Sequence, residues 1–384
     1  MSAVNPHAPG TLGLYLHIPF CKSKCLYCDF CSYPSTDAET VYAYVDALCR
    51  DLEEQSKRCV GRIVDTVYFG GGTPTLLPAA LLERILETVY RCYRVSADAE
   101  ISAECNPATE SLSLFRKMRR AGFNRLSIGL QSTHENELRA LGRVHSYSDF
   151  LNTVEAAVCA GFENLSADVM LGIPEQTEGS CLQTLERLCS LPLSHISAYG
   201  LSVEEGTPFG KMGDALILPD EDSALQMYFG TVELLADRGF LQYEISNFAK
   251  PGYESRHNLK YWNCEEYLGF GPAAHSFFAG ERYGNARDLA GYLAGKSIVC
   301  ERQTLTDADR INEYVMLRMR LCEGVRKEDF SARFKEECFE GFQADFFPYL
   351  AQGFVEIDQK GIRFTKRGFA VSNAILSQVL CFSS

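Results

Sequence analysis

The chain has 384 residues, 46% apolar and 23% charged, with a net charge of −13. That length exceeds one ordinary core and predicts a large domain with a smaller one beside it. The acidic balance excludes nucleic acid as a main partner, because phosphate binding rests on a basic face.

Residues 1–11 read as a tail. The first ten lack the basic and apolar regions of a signal peptide, and no apolar run is long enough to cross a bilayer. A cytoplasmic location is expected, and the sixteen cysteines then belong to a reducing compartment rather than a disulfide scaffold. Residues 12–20 form an apolar run that reads as a buried strand. It leads into Cys21, Cys25 and Cys28 at the spacing C-x3-C-x2-C. Three thiolates on one short loop suit three corners of a four-iron cluster, leaving one iron open. A structural zinc site would need a fourth ligand and usually a second C-x2-C pair, which does not occur downstream. Cys31 is a poor fourth ligand because it crowds Cys28. Three unrelated buried cysteines are the remaining alternative.

Beyond the loop, helical and strand patterns alternate. Residues 38–57 read as a helix capped by Asp37. Residues 66–69 read as a strand running into Gly70-Gly71-Gly72-Thr73-Pro74, and residues 81–93 as a helix. Strands follow at 99–104, 125–131, 165–173 and 195–201, with helices at 112–121, 150–160, 181–191 and 225–238. Six such units predict an α/β fold, an incomplete (β/α)6 barrel with a parallel sheet. Glu104, Gln131 and Asp168 each follow or interrupt an apolar run at a strand end, where such barrels build their sites. From residue 252 the repeat is lost. His257-Asn258-Leu-Lys-Tyr261-Trp262 holds the only tryptophan, and the following stretch to Ser276 is rich in small residues that allow close backbone approach. The barrel and its extension are assigned to residues 12–295. Residues 296–384 form a small module with helices at 310–322, 327–334 and 367–379 and a hairpin at 354–365, similar to a winged helix and read as a packing element.

The cysteine spacing, with an aromatic before its last cysteine, and the Gly-Gly-Thr-Pro that follows the next strand resemble the radical S-adenosylmethionine superfamily. More closely they resemble the branch of oxygen-independent coproporphyrinogen III oxidase and the haem chaperone HemW. The strings Tyr-Leu-His-Ile-Pro-Phe-Cys, Ser-Ile-Gly-Leu-Gln-Ser, Asp-Val-Met-Leu-Gly-Ile-Pro and His-Asn-Leu-Lys-Tyr-Trp carry the likeness along nearly the whole chain. The resemblance implies a [4Fe-4S] cluster on Cys21, Cys25 and Cys28, chelated at its open iron by S-adenosylmethionine. It implies Tyr15, Tyr27, Gly71, Gly72, Thr73, Glu104, Gln131, Arg143 and Asp168 around that cofactor.

Two departures point away from the oxidase. Its further cysteine, two residues after the third cluster cysteine, is Phe30 here, and only about a dozen residues precede the cluster strand. The expected function is therefore a haem chaperone that binds haem and delivers it to acceptor proteins. The alternative is the oxidase, in which a 5′-deoxyadenosyl radical decarboxylates coproporphyrinogen III to protoporphyrinogen IX. Catalysis would add an electron donor such as flavodoxin or ferredoxin; peripheral membrane association is compatible with either reading. His257, Asn258, Tyr261 and Trp262 are the expected haem contacts, with His257 the leading axial ligand. The competing readings are that these residues close the open side of the barrel, or that another cysteine binds the iron.

Overall fold

The computed structural model describes residues 10–34, 37–107 and 111–380. The tail expected at residues 1–11 lies outside the described residues as far as residue 9. In chain order the barrel comprises β1 (Thr11–Ile18), α1 (Ala38–Ser56), β2 (Ile63–Gly71), α2 (Ala79–Cys92), β3 (Arg94–Cys105) and α3 (Leu112–Ala121). It continues with β4 (Arg125–Gln131), α4 (Tyr147–Cys159), β5 (Asn164–Leu171), α5 (Glu178–Cys189), β6 (His195–Gly200) and α6 (Glu221–Asp237). Each of β1 to β6 pairs parallel with the next, so the six-fold alternation expected from the sequence is the observed one.

The local chemistry explains the pieces. β4 buries all seven residues, as a strand covered on both faces must. α3 starts where the Ser111 side chain accepts from the Leu114 N–H, and stops at Gly122, whose φ of 120° a side chain would resist. α4 opens on a reciprocal Ser146–Asp149 capping box. The short helix Glu135–Ala140, not expected from the sequence, carries only six residues.

The sheet extends beyond the six units at both ends. β7 (Leu241–Glu244) and β8 (Asn247–Ala249) join antiparallel beside β6. After α7 (Arg256–Trp262), β9 (Tyr267–Phe270) lies parallel to β1. β10 (His275–Phe278), β11 (Glu281–Asn285) and β12 (Val299–Thr304) then add antiparallel strands, giving a twelve-stranded open sheet. β12 pairs with β11, so this sheet runs past residue 296 as far as Thr304.

The C-terminal module has its own core, built on Phe330, Phe339, Phe346 and Phe364. Its hairpin forms at Val355–Ile357 and Gly361–Phe364. The helix expected at residues 367–379 is two, Lys366–Ala370 and Ser372–Val379. Helices Glu336–Asp345 and Phe347–Ala351 fill a stretch that sequence reading left unassigned. Backbone bonds from Ile245 N–H to Arg320 O (2.9 Å) and from Cys322 N–H to Tyr243 O (3.0 Å) tie the module to β7. Because the two cores are separate, Phe330→Ala is expected to cost about 3–5 kcal/mol within the module. Amide hydrogen exchange should quicken there first and leave β1 to β6 protected; uniform loss across both cores would contradict this.

Candidate cluster and cofactor site

β1 runs into the cysteine loop and β2 into the glycine-rich loop. Two backbone bonds join them: Gly72 N–H to Ile18 O at 2.8 Å and Thr73 N–H to Phe20 O at 2.7 Å. A Cβ on Gly72 would stand 2.5 Å from Phe20 O, so this approach requires glycine. The far side of the cysteine loop is pinned as well. Leu26 N–H donates to Leu141 O (3.1 Å), and Phe209 N–H donates to Leu26 O (3.0 Å).

This anchoring holds the thiols at the rim of the barrel. Cys21 Sγ lies 3.7 Å from Thr73 Oγ1, and Arg143 Nη1 donates to Cys25 Sγ at 3.3 Å. Burial pushes the Cys21 and Cys28 thiols up, so a positively charged partner is needed to keep them as thiolates. The buried Cys31 turns its sulfur to the Tyr33 hydroxyl, 3.8 Å away. Among the described residues no three His, Cys, Asp or Glu side chains converge as a single-ion site. Cluster ligands bind separate irons and need no common point. A guanidinium bonded to Cys25, with its Nε buried and without a partner among the described residues, suits an anionic iron–sulfur group.

Behind the thiols lies a polar layer. Glu104 accepts from the Gly71 N–H (3.0 Å) and the Tyr68 hydroxyl (2.9 Å). Burial, and next the charge of Asp168, push its carboxyl up to about 7. Asp168 accepts from Ser127 Oγ at 3.0 Å and is also pushed up by burial. The Tyr15 hydroxyl meets His17 Nδ1 at 3.0 Å, and His17 Nε2 meets Cys31 O at 2.8 Å. Gln131 sits at the end of β4 with φ of 78°, a left-handed conformation that non-glycine residues seldom adopt; its Oε1 accepts from the Tyr199 hydroxyl at 3.1 Å. Asn106, which sequence reading missed, links the two layers. Its Nδ2 donates to Thr73 Oγ1 at 2.6 Å and its Oδ1 accepts from Arg143 Nη2 at 3.0 Å. The signal available was a polar residue two positions past Glu104.

The aromatic motif on α7 stands elsewhere. The Arg256 and His257 N–H groups each donate to the Glu100 carboxylate at 3.1 Å, so α7 enters the barrel by its first turn. His257 is buried, with Nδ1 2.8 Å from Thr66 Oγ1 and Nε2 2.8 Å from the Tyr261 hydroxyl. Burial, with Lys260 and Arg125 adding to it, pushes the ring down to about 3. Both ring nitrogens are engaged, and the ring holds the Tyr261 hydroxyl. The Asn258 N–H meets the Ser255 cap at 3.4 Å, and Trp262 Nε1 is buried without a partner among the described residues.

A cavity of about 690 Å³ opens beside the cysteine loop, walled by Tyr27, Cys28, Met170, Tyr199, Tyr261 and Tyr267. Its edge carries Arg287, whose Nη2 lies 2.6 Å from Asp29 Oδ2. The pH dependence of stability tests the Glu104 environment. A carboxyl raised from 4.5 to about 7 contributes stability that is complete below the lower value and is lost as pH rises through the upper. Denaturation midpoints of the S-adenosylmethionine-free protein should therefore show Glu104→Gln gaining on wild type from about pH 5 to about pH 8. Parallel curves would contradict the assignment.

The radical SAM superfamily model matches residues 15–188, and the HemN C-terminal domain model matches residues 305–371, the module delimited above. Heme chaperone HemW of Escherichia coli (strain K12) is 34% identical over 374 residues, covering 96% of this chain and 98% of that protein. HemW of Bacillus subtilis (strain 168) is 32% identical over 376 residues, covering 95% and 98%. The mitochondrial radical S-adenosyl methionine domain-containing protein 1 of Bos taurus is 34% identical, covering 97% and 88%. Among solved structures, coproporphyrinogen III oxidase (HemN) from Escherichia coli superposes with a TM-score of 0.86 at 24% identity, covering 99% of this chain and 92% of that one. That likeness establishes the shared fold. The thiol loop, the glycine-rich loop and these relatives agree: the chain belongs to the radical S-adenosylmethionine superfamily, whose members carry a [4Fe-4S] cluster and S-adenosylmethionine, and within it to the HemW and HemN branch.

Proposed function

We propose that this protein is a haem chaperone that holds haem in the cavity beside the cysteine loop and passes it to acceptor proteins. The observation that carries this reading is the aromatic-walled cavity itself. It adjoins Cys28, and its volume of about 690 Å³ lies in the range of about 300–1,000 Å³ common to cofactor sites. Flat tyrosine rings offer the apolar contact that a macrocycle needs. Curated HemW proteins at 32% and 34% identity over nearly the full chain favour this cargo.

Each part of the site has a role in this reading. Cys21, Cys25 and Cys28 bind the cluster, and Arg143 offsets thiolate charge. Gly71, Gly72 and Thr73 bring backbone close to S-adenosylmethionine. Glu104 and Asp168 hold its ammonium group or ribose hydroxyls by charge-assisted bonds, with Tyr15, Tyr27 and Gln131 around them. From the motif on α7, Tyr261 reaches the cavity and His257 fixes its hydroxyl from behind. The Asn258 N–H meets the Ser255 cap of that helix, and Trp262 ends it. No helix among the described residues is long and apolar enough to cross a membrane.

Two anoxic assays on the cluster-loaded protein test the proposal. Titration with haem should give a saturable absorbance change, and the loaded protein should transfer haem to an apo-haemoprotein. Coproporphyrinogen III with S-adenosylmethionine and a reductant should give no protoporphyrinogen IX. Absent haem binding together with decarboxylated product would replace the chaperone reading with the oxidase.

A further inference from the structure

Among the described residues the cavity has one imidazole to offer. Of the six histidines among them, two line it, His17 and His275. Both His17 nitrogens are engaged, by the Tyr15 hydroxyl and by Cys31 O. His195 is likewise held, by Ser166 and Tyr243, and His257 by Thr66 and Tyr261. His145 bonds Leu130 O. His275 is exposed, and its ring makes no hydrogen bond to another described residue.

The sheet around His275 is bare on both sides. β9 and β10 pair with Tyr267 opposite Phe277, which sets Gly269 opposite His275 in an antiparallel ladder. Across β11, His275 faces Gly284. On the other side Gly269 pairs with Tyr15 of β1. One row of the sheet therefore reads Tyr15, Gly269, His275, Gly284, with a glycine on each flank of the imidazole. Backbone closes the Cβ position of Gly269, and the His275 ring itself fills the space over Gly284. A Cβ on Gly269 would stand 2.1 Å from His275 O, and one on Gly284 would stand 2.9 Å from the His275 ring. Cross-strand neighbours normally cover such a side chain; here the ladder leaves it uncovered, facing a cavity walled by tyrosines.

We propose that His275 is an axial ligand of the bound haem, supplied by the sheet extension rather than by the motif on α7. The inference rests on the haem-chaperone reading above. A neutral imidazole nitrogen is a standard partner of haem iron, and the flanking glycines leave room for a flat macrocycle to approach it. Tyr261 then meets the same cargo from the α7 wall, with His257 in a positioning role.

The test uses the full-length, cluster-loaded protein and ferric haem, read by absorbance and by electron paramagnetic resonance. Wild type should show the signature of histidine ligation. His275→Ala should lose that signature and weaken haem binding about 10–100-fold, the loss typical even for groups that only support a ligand. Added imidazole should restore the signature in the variant, which separates a missing ligand from a misfolded chain. His257→Ala should alter affinity while keeping the histidine signature. If wild type binds haem and His275→Ala matches it in spectrum and affinity, the ligand assignment fails and the chaperone reading stands. If wild type binds no haem, both fail.

Discussion

The site depends on the contact of two loops across a missing side chain. Gly72 lies against Phe20 O so closely that any Cβ would collide, and the bonds from Gly72 and Thr73 to β1 and its exit make the two loops one unit. The cysteine loop then has a fixed base, and its Leu26 anchors give it a fixed far edge. Three thiols can be held for a cluster on a loop only if the loop itself cannot move. Parallel strands β1 and β2 bring both loops to the same end of the sheet, which is why this architecture puts its chemistry there.

The second constraint is charge in a chain of net charge −13. Burial raises both Glu104 and Asp168, and the charge of Asp168 adds to the rise at Glu104. The cations that offset them are inside too: Arg125 is 1% exposed, and Arg143 spans from Cys25 to Asn106. The site is thus prepared for a ligand that brings positive charge to the carboxyls and an anionic cluster to Arg143. S-adenosylmethionine on a [4Fe-4S] cluster has both properties.

The barrel was legible because its signals are long and periodic. β4 and α3 fall at the expected residues 125–131 and 112–121, since a fully buried strand and a capped amphipathic helix each carry their pattern locally. The sheet extension was not legible. β8 has three residues, and β12 is exposed at all six positions, so neither shows alternation. The thiol loop and the glycine-rich loop were readable as motifs, because spacing alone states their chemistry. Asn106 was not, since its role depends on where Arg143 and Thr73 meet. His257 and His275 show the same limit from both sides. Aromatic neighbours in sequence favoured His257, yet the fold turns it inward onto Thr66 and Tyr261. His275 is followed by Phe277 and Phe278, but only strand pairing reveals the glycines that flank it.

If haem occupies the cavity walled by Tyr27, Cys28 and Tyr199, it lies beside the cluster that Cys28 binds. The most direct measurement is pulsed electron paramagnetic resonance on protein loaded with both the reduced cluster and copper(II) protoporphyrin IX, a paramagnetic stand-in for haem that the reduced cluster does not reduce. The account predicts that the reduced cluster speeds relaxation of the copper signal, as two paramagnets in adjoining sites must. Copper and cluster signals that relax independently, at full loading of both, would contradict it.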